Sequence, residues 1–156
     1  MLFRSGYGSL AITLDHHTLE PASPDLSARI ESWRRAVAAA GMTCVIETGA
    51  RHLLDVRVKH EPTLVTASSE ARARRVAFTC GAIDVAADLG AGCVSLWSGV
   101  CRDAADAESI WGRLTHSLDT ILDHAARRGV VLGFEPEPGM FIDTLARYGE
   151  IGRAHV

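Results

Sequence analysis

Short apolar runs alternate along the chain with longer stretches in which apolar residues recur every three or four positions. The runs have the length of strands, and the longer stretches have the spacing of helices with one buried face. The predicted strands are residues 10–14, 43–47, 93–97 and 130–135. Strands that alternate with helices in this way predict right-handed βαβ units, a parallel sheet and the α/β class. Because the strands are almost continuously apolar, we expect both faces of the sheet to be covered.

Residues typical of helix ends flank the longer stretches. Gly41, Gly90 and Gly129 precede the second, third and fourth strands, where a helix commonly ends on glycine. Ser23 and Pro24 predict the start of the first helix, as its N-cap and first helical residue. The predicted buried stripes are Leu26, Ile30, Trp33, Val37 and Ala40; Val76, Cys80, Ile83 and Ala87; Ile110, Leu114, Leu118, Ile121 and Ala125; and, in a last helix beginning near Met140, Phe141, Leu145 and Tyr148. We therefore predict about four parallel βα units.

Length and composition fit one globular domain over residues 1–156. Hydrophobic residues make up 47% of the chain and charged residues 22%, which excludes a disordered protein. The formal net charge of −3 offers no electrostatic reason to bind nucleic acid. Arg72, Arg74 and Arg75 fall on the second predicted helix, where we interpret them as a solvated face.

The sequence also constrains the compartment. No apolar run approaches the ~20 residues needed to cross a bilayer, so we expect no membrane partner. Cys44, Cys80, Cys93 and Cys101 lack the CxxC spacing of metal sites. We interpret them as buried small residues in a reduced, cytoplasmic protein. Neither a glycine-rich phosphate loop nor a GxSxG nucleophile motif is present.

Two carboxylates stand where the fourth strand ends, in the sequence GFEPEPG of residues 133–139. Pro136 and Pro138 remove backbone donors and fix φ, so the segment cannot continue as an interior strand. Parallel α/β folds gather their chemistry at this carboxyl end of the strands. Glu135 and Glu137 therefore either serve a metal ion and a substrate or merely end the strand in a turn.

The other three strands end in polar groups as well, which predicts a site at one rim of the sheet. His16 and His17 follow the first strand, Glu47 ends the second and Trp97 ends the third. Because adjacent residues on an extended chain face opposite ways, at most one of the two histidines points into a site. We assign His16 to the substrate, with a surface imidazole as the alternative. Trp97 either belongs to the core or stacks on a sugar.

A connection of about twenty residues, from Gly49 to Ser68, joins the second strand to its helix. Loops of that length in a compact domain are usually functional or disordered. His60 lies in this loop and is placed to close over a ligand. We interpret Arg51 and His52 as solvated loop residues.

These motifs together resemble the xylose isomerase-like TIM barrel superfamily, and in particular its sugar phosphate isomerase and epimerase members. The matching sequences are VIETGAR at 45–51, KHEPTL at 59–64, VSLWSG at 94–99 and GFEPEPG at 133–139. The resemblance covers nearly the whole chain and implies a barrel of eight βα units. This chain would then form a partial TIM (β/α)8 barrel, about strands two to five, and the domain would be incomplete at both ends.

The resemblance also implies a divalent metal ion (Mn, Mg or Zn) at the C-terminal rim. Family members hold it with a Glu, an Asp, a His and a second Glu, and Glu135 matches the first of these. The strands that would carry the other three ligands are missing here, so we expect metal binding to be lost or weak. A DNA-repair branch of the superfamily carries histidines at the ends of the third and fourth strands. Glu47 and Trp97 stand there instead, which argues against that activity.

Two functions follow from these residues. The first is an isomerase or epimerase that acts on a sugar or sugar phosphate by metal-assisted proton transfer, and we expect this shortened chain to be inactive by itself. The catalytic residues would be Glu135 and Glu47, and the substrate contacts would be His16, His60, Trp97 and Glu137. The alternative is a non-catalytic fragment or a small α/β ligand-binding module. An open four-stranded sheet would in either case expose two edges, which a homo-oligomer could cover.

Overall fold

The computed structural model describes residues 6–152, and its elements follow the predicted order. They are β1 (Ser9–Thr13), α1 (Leu26–Ala39), β2 (Thr43–Glu47), α2 (Ser69–Leu89), β3 (Val94–Leu96), α3 (Ala107–Arg128), β4 (Leu132–Phe134) and α4 (Leu145–Ile151). The α/β class and the four βα units are confirmed. The single domain over residues 1–156, incomplete at both ends, stays a prediction. Residues 1–5 and 153–156 lie outside the described range.

The four strands form one parallel sheet in the order β1-β2-β3-β4. The register places Thr13 beside Glu47, Glu47 beside Ser95, and Ser95 beside Gly133. Sequential strands that are neighbours in a parallel sheet are the arrangement expected of right-handed βαβ units. The strand ends that carry the predicted site residues therefore lie side by side at the carboxyl end of the sheet.

The two faces of the sheet differ in burial. Alternate side chains of each strand point to opposite faces, and one set packs with residues of α2 and α3 in the core. This set comprises Ile12, Cys44, Ile46, Val94 and Leu96. The opposite set includes Thr13, Glu47 and Ser95, which are only half-buried. The expectation of two covered faces therefore does not hold within the described residues, where the alternate side chains of β1, β2 and β3 are half-buried or exposed.

The first helix begins later than predicted. α1 starts at Leu26, with Asp25 as the preceding residue, and not after a Ser23 cap. The Ser23 N–H donates to the Glu20 carbonyl in a turn, and the Ser23 hydroxyl bonds to the Asp25 carboxylate. Ser23 is thus engaged in the turn before the helix and does not cap it.

The last helix also begins later, at Leu145 and not near Met140. Its N-cap is Thr144, whose side chain accepts a hydrogen bond from the Arg147 N–H. Phe141, which we predicted on this helix, is buried in the core ahead of it.

The buried face of α2 is displaced from the predicted stripe. Its buried residues are Arg75, Phe78, Thr79, Ala82, Ile83, Val85, Ala86 and Leu89, of which only Ile83 belongs to the predicted stripe. The interpretation of Arg72, Arg74 and Arg75 as a solvated face is wrong for Arg75, which is buried, although Arg74 is exposed. Arg75 stands three and four residues before Phe78 and Thr79, so the helical repeat places it on the buried side.

Glycines, one long connection and the cysteines complete the description of the fold. Gly41, Gly90 and Gly129 follow the first three helices with positive φ, as predicted. The connection over residues 48–68 contains neither a helix nor a strand. All four cysteines are free; Cys44 is buried and the other three are half-buried. Within residues 6–152, no helix combines the length and the apolar character needed to span a membrane.

Candidate active site

A row of hydroxyl and carboxylate side chains crosses the half-buried face of the sheet near its carboxyl edge. Thr13 ends β1 and Glu47 ends β2, and the parallel register sets them side by side. Thr13 Oγ1 donates a hydrogen bond of 2.8 Å to Glu47 Oε2. This bond orients the Glu47 carboxylate along the sheet, and a carboxylate has lone pairs for several further bonds.

The same arrangement recurs between β3 and β4. Ser95 Oγ donates to Glu135 Oε1 over 2.5 Å. The Glu135 N–H donates to the Leu96 carbonyl over 2.8 Å, which extends the strand pairing to the rim. Because Ser95 lies beside Glu47, the two carboxylate-bearing strands are two strand spacings apart, about 10 Å. The pairs Thr13–Glu47 and Ser95–Glu135 therefore occupy neighbouring pairs of strands.

The segment that follows Glu135 is anchored to the end of β3. The Phe141 N–H donates to the Gly99 carbonyl over 2.9 Å, and the Ile142 N–H donates to Ser98 Oγ over 3.0 Å. The N–H of Glu137 in turn donates to the carbonyl of residue 142 over 3.2 Å. The backbone that carries the two predicted carboxylates is therefore fixed, although both carboxylates are exposed.

His60 and Trp97 form an aromatic pair near the carboxyl end of β3. The rings of His60 and Trp97 meet edge to face, with centroids 5.6 Å apart and an interplanar angle of 86°. Trp97 is only 8% exposed. His60 Nδ1 bonds to the Gly49 carbonyl across the long loop. Ala50, Arg51 and His60 all adopt positive φ, which is unfavourable for residues with a Cβ atom, so the surrounding contacts must hold this loop in place.

A buried cation supports this pair from the helical layer. Arg75 is 1% exposed, and its guanidinium lies 4.6 Å from the centre of the Trp97 ring. Its Nη2 donates to the Thr48 carbonyl over 2.6 Å, whereas Nη1 is buried without a hydrogen-bond partner among the described residues. Burial lowers the pKa of Arg75 to about 10, and the nearby Glu61 carboxylate opposes that shift.

One ion pair to the β3–α3 connection and one hydrogen bond from α3 fasten the long loop. Arg102 Nε lies 2.7 Å from Glu61 Oε1. Arg113 Nη1 donates to the Asp103 carboxylate over 2.7 Å and to the Val65 carbonyl over 3.2 Å. The hydrogen bond from Arg113 helps to hold the pKa of Asp103 below its usual range. The two connections border a groove of about 220 Å³ at the rim.

The remaining predicted contacts lie at the margin of this arrangement. The His16 ring is exposed, and its Nδ1 lies 2.9 Å from Glu20 Oε1 within the β1–α1 connection. The Glu137 side chain is exposed beyond the end of β4. Of the six residues that the sequence nominates, the structure places the two carboxylates predicted to be catalytic on one face of the sheet and brings the His60 and Trp97 rings into contact. It leaves His16 and Glu137 exposed at the edge.

The described residues do not form a metal site. Within residues 6–152, no three histidine, cysteine, aspartate or glutamate side chains are grouped so that they could hold a metal ion. Glu135 supplies one carboxylate, which is bonded to Ser95. A catalytic ion needs several protein ligands, so these residues by themselves do not fit the divalent metal that the resemblance implies.

The sequence patterns did not identify three residues of the site, which are Thr13, Ser95 and Arg75. Ser95 stands two residues before Trp97, and Thr13 ends a strand whose register matches Glu47, so a repeat of two would have placed both on the site face. Arg75 was obscured by two neighbouring arginines, and only its spacing from Phe78 indicates burial.

An array of parallel βα units with carboxylates at the carboxyl end of the strands has the architecture of a TIM-barrel rim. The chain belongs to the xylose isomerase-like TIM barrel family, whose sequence model matches residues 3–155. The fold is accordingly a partial TIM barrel of the xylose isomerase-like kind, as the sequence predicted.

Solved structures with this fold include several epimerases. A D-tagatose 3-epimerase-like protein has a TM-score of 0.74 and 17% identity, with 93% of this chain and 51% of that chain covered. An L-ribulose 3-epimerase has a TM-score of 0.73 and 19% identity, with 94% of this chain and 46% of that chain covered. The 3-keto-D-glucoside 4-epimerase of E. coli has a TM-score of 0.69 and 15% identity, with 93% of this chain and 63% of that chain covered.

At these identities the likeness establishes the fold alone. The chain spans about half the length of the first two of these proteins. The curated proteins contain no match to it.

Proposed function

We propose that this chain provides the sugar-binding rim of an isomerase or epimerase that acts on a ketose or ketose phosphate. The observation that carries the proposal is the row of Thr13, Glu47, Ser95 and Glu135 across four parallel strand ends. Membership of the family and the epimerases among its structural relatives support the same substrate class.

The chemistry is proton transfer at a carbon next to a carbonyl. One carboxylate, Glu135 or Glu47, accepts the proton, and the electron pair of the C–H bond moves into an enediolate. The other carboxyl group, in its protonated form, gives its proton to the carbon from the opposite side of the sugar as the enediolate returns to a carbonyl, which inverts the carbon. Thr13 and Ser95 orient the two carboxylates through their hydroxyl groups.

Four further residues would contact the sugar. We propose that Trp97 and His60 form one wall of the pocket and that His16 and Glu137 bond to sugar hydroxyls at its edge. Their support is position at the carboxyl ends of the strands and, for the aromatic pair, mutual contact.

Proton removal can be measured without complete epimerisation, by exchange of the carbon-bound proton of D-tagatose or L-ribulose in D2O with NMR detection. We expect this partial reaction to exceed the buffer rate, although the shortened chain by itself should not complete the epimerisation. Glu135→Gln and Glu47→Gln should each lower it by about 100-fold, the lower end of what a general base contributes. The control, Glu108→Gln in the first turn of α3, should leave the rate unchanged. An exchange rate equal to that of buffer, or indifferent to both substitutions, would contradict the proposal.

A second candidate is a ligand-binding module without catalysis. It is favoured by the lack of a metal-holding group among the described residues, since loss of the metal removes polarisation of the carbonyl. In that case calorimetry would detect ketose binding by a chain that causes no proton exchange, and Glu135→Gln would not abolish the binding.

A further inference from the structure

Arg75 has a costly environment that packing alone does not explain. It is a charged side chain at 1% exposure, and one of its two terminal nitrogens has no partner among the described residues. The Glu61 carboxylate, whose charge acts on Arg75, accepts hydrogen bonds from Arg102 and Thr66. An apolar side chain of similar volume would avoid the desolvation of an incompletely paired cation.

The contacts of Arg75 connect the two central strand ends of the site. Its Nη2 holds the carbonyl of Thr48, the residue after Glu47. Its guanidinium carbon lies over the ring of Trp97, two residues after Ser95, at 4.6 Å from the ring centre. A guanidinium combines a planar face for an aromatic ring with edge donors for a carbonyl, which an ammonium group cannot do in the same way. One side chain from the helical layer thus joins the ends of β2 and β3.

We propose that Arg75 is a positioning residue, which holds the Trp97 ring and the Glu47-bearing strand end in the geometry that the ketose requires. The inference rests on the proposed function. Arg75 lies behind the rim and acts through the two groups that it contacts. The His60 ring contacts the same tryptophan edge to face, so side chains from α2 and from the long loop both contact the ring.

The motion of Trp97 tests this role without any ligand. In a chain with Trp33→Phe and Trp111→Phe, Trp97 is the only tryptophan, and its time-resolved fluorescence anisotropy reports the mobility of the ring. Arg75→Met should add a fast component to the decay while far-UV circular dichroism stays the same. The control, Arg74→Met on the exposed side of α2, should give the parent decay. An unchanged decay in Arg75→Met would overturn the proposal.

The second measurement is the KM for ketose proton exchange at the proposed site. Arg75→Met should raise the KM for ketose proton exchange about tenfold, in keeping with the loss of a desolvated cation–π contact, and Arg75→Lys should restore part of it. Equal KM values for the parent chain and Arg75→Met would also overturn the role. If Arg75→Met does not fold, Arg75→Lys carries both measurements, with a smaller shift expected.

The two proposals can fail separately. If the parent chain exchanges no ketose proton, the proposed function fails, while the anisotropy of Trp97 still decides whether Arg75 holds the ring.

Discussion

At the scale of single residues, the closest backbone approach in the site occurs at Gly99. Its φ is +90°, and a Cβ atom there would lie 2.1 Å from the Cβ of Thr63 in the long loop. The Gly99 carbonyl also accepts the hydrogen bond from Phe141 that anchors the segment after Glu135. This glycine therefore allows the loop that carries His60 and the segment that carries Glu135 to pack on the same strand end.

Gly99→Ala should destabilise the protein by about 3 kcal/mol, because it combines a steric clash with buried Thr63 and an unfavourable φ. Urea unfolding measures the change. The matched control is Gly112→Ala in α3, where a Cβ atom would meet nothing within 4 Å. That substitution should stabilise the helix by about 1 kcal/mol. If both variants had equal stability, the close approach at Gly99 would be wrong.

Single residues also show which parts of the site the sequence could predict and which it could not. Glu47 and Glu135 could be nominated because strand ends are visible in the sequence. The burial of Arg75 was not predicted, because three arginines within four positions indicate a solvated face and this signal hides the helical spacing of Arg75 from Phe78. Which of the three enters the core depends on the ring of Trp97, which approaches from another element.

At the scale of elements, side-chain caps set the helix starts that position the loops of the rim. The Asp106 carboxylate caps α3 by accepting the Ser109 N–H over 2.8 Å, directly after the connection that holds Asp103. This backbone hydrogen bond is the largest cause of the lowered pKa of Asp106. The folded state therefore favours the ionised cap.

The stability of the protein should depend on pH through this cap. Because the folded pKa of Asp106 lies below its ordinary value of 3.8, the ionised cap stabilises the fold above that pH, and its contribution is lost as the pH falls through the folded pKa. Asp106→Asn keeps an acceptor but cannot ionise, so the free energy of unfolding should fall less steeply below pH 4 than in the parent chain. Asp106→Ser, another good cap that does not titrate, should give the same shallow slope. A parent-like slope in both variants would count against the cap.

At the scale of the whole molecule, the described sheet has two edges, since β1 pairs only with β2 and β4 only with β3 in the part of the chain that the structure describes. Beside β4 lies a groove of about 330 Å³, which Leu132, Phe134 and Tyr148 help to line. Exposed strand edges beside apolar surface favour pairing with another chain. This is the physical ground for the homo-oligomer that we expect.

Sedimentation velocity should accordingly detect concentration-dependent self-association. Val131→Lys, at a position 65% exposed directly before β4, should weaken it, because a charge at a strand edge opposes pairing. Val56→Lys provides the control, since Val56 is 85% exposed in the long loop away from β4. A monomer at all concentrations, or equal effects of the two lysines, would exclude association through this edge.

The sequence by itself determined the order of the elements, the parallel sheet, the family and the two carboxylates. The elements, the sheet and the carboxylates depend on local repeats, on glycines after helices and on residues at strand ends, which are properties of neighbours along the chain. The family was predicted from the resemblance of four motifs to those of its members. Tertiary structure alone decided that Glu47 is oriented by Thr13 and Glu135 by Ser95, and that Arg75 is buried against Trp97. Each of these contacts joins different elements, so its geometry is set by strand register and by helix packing on the sheet.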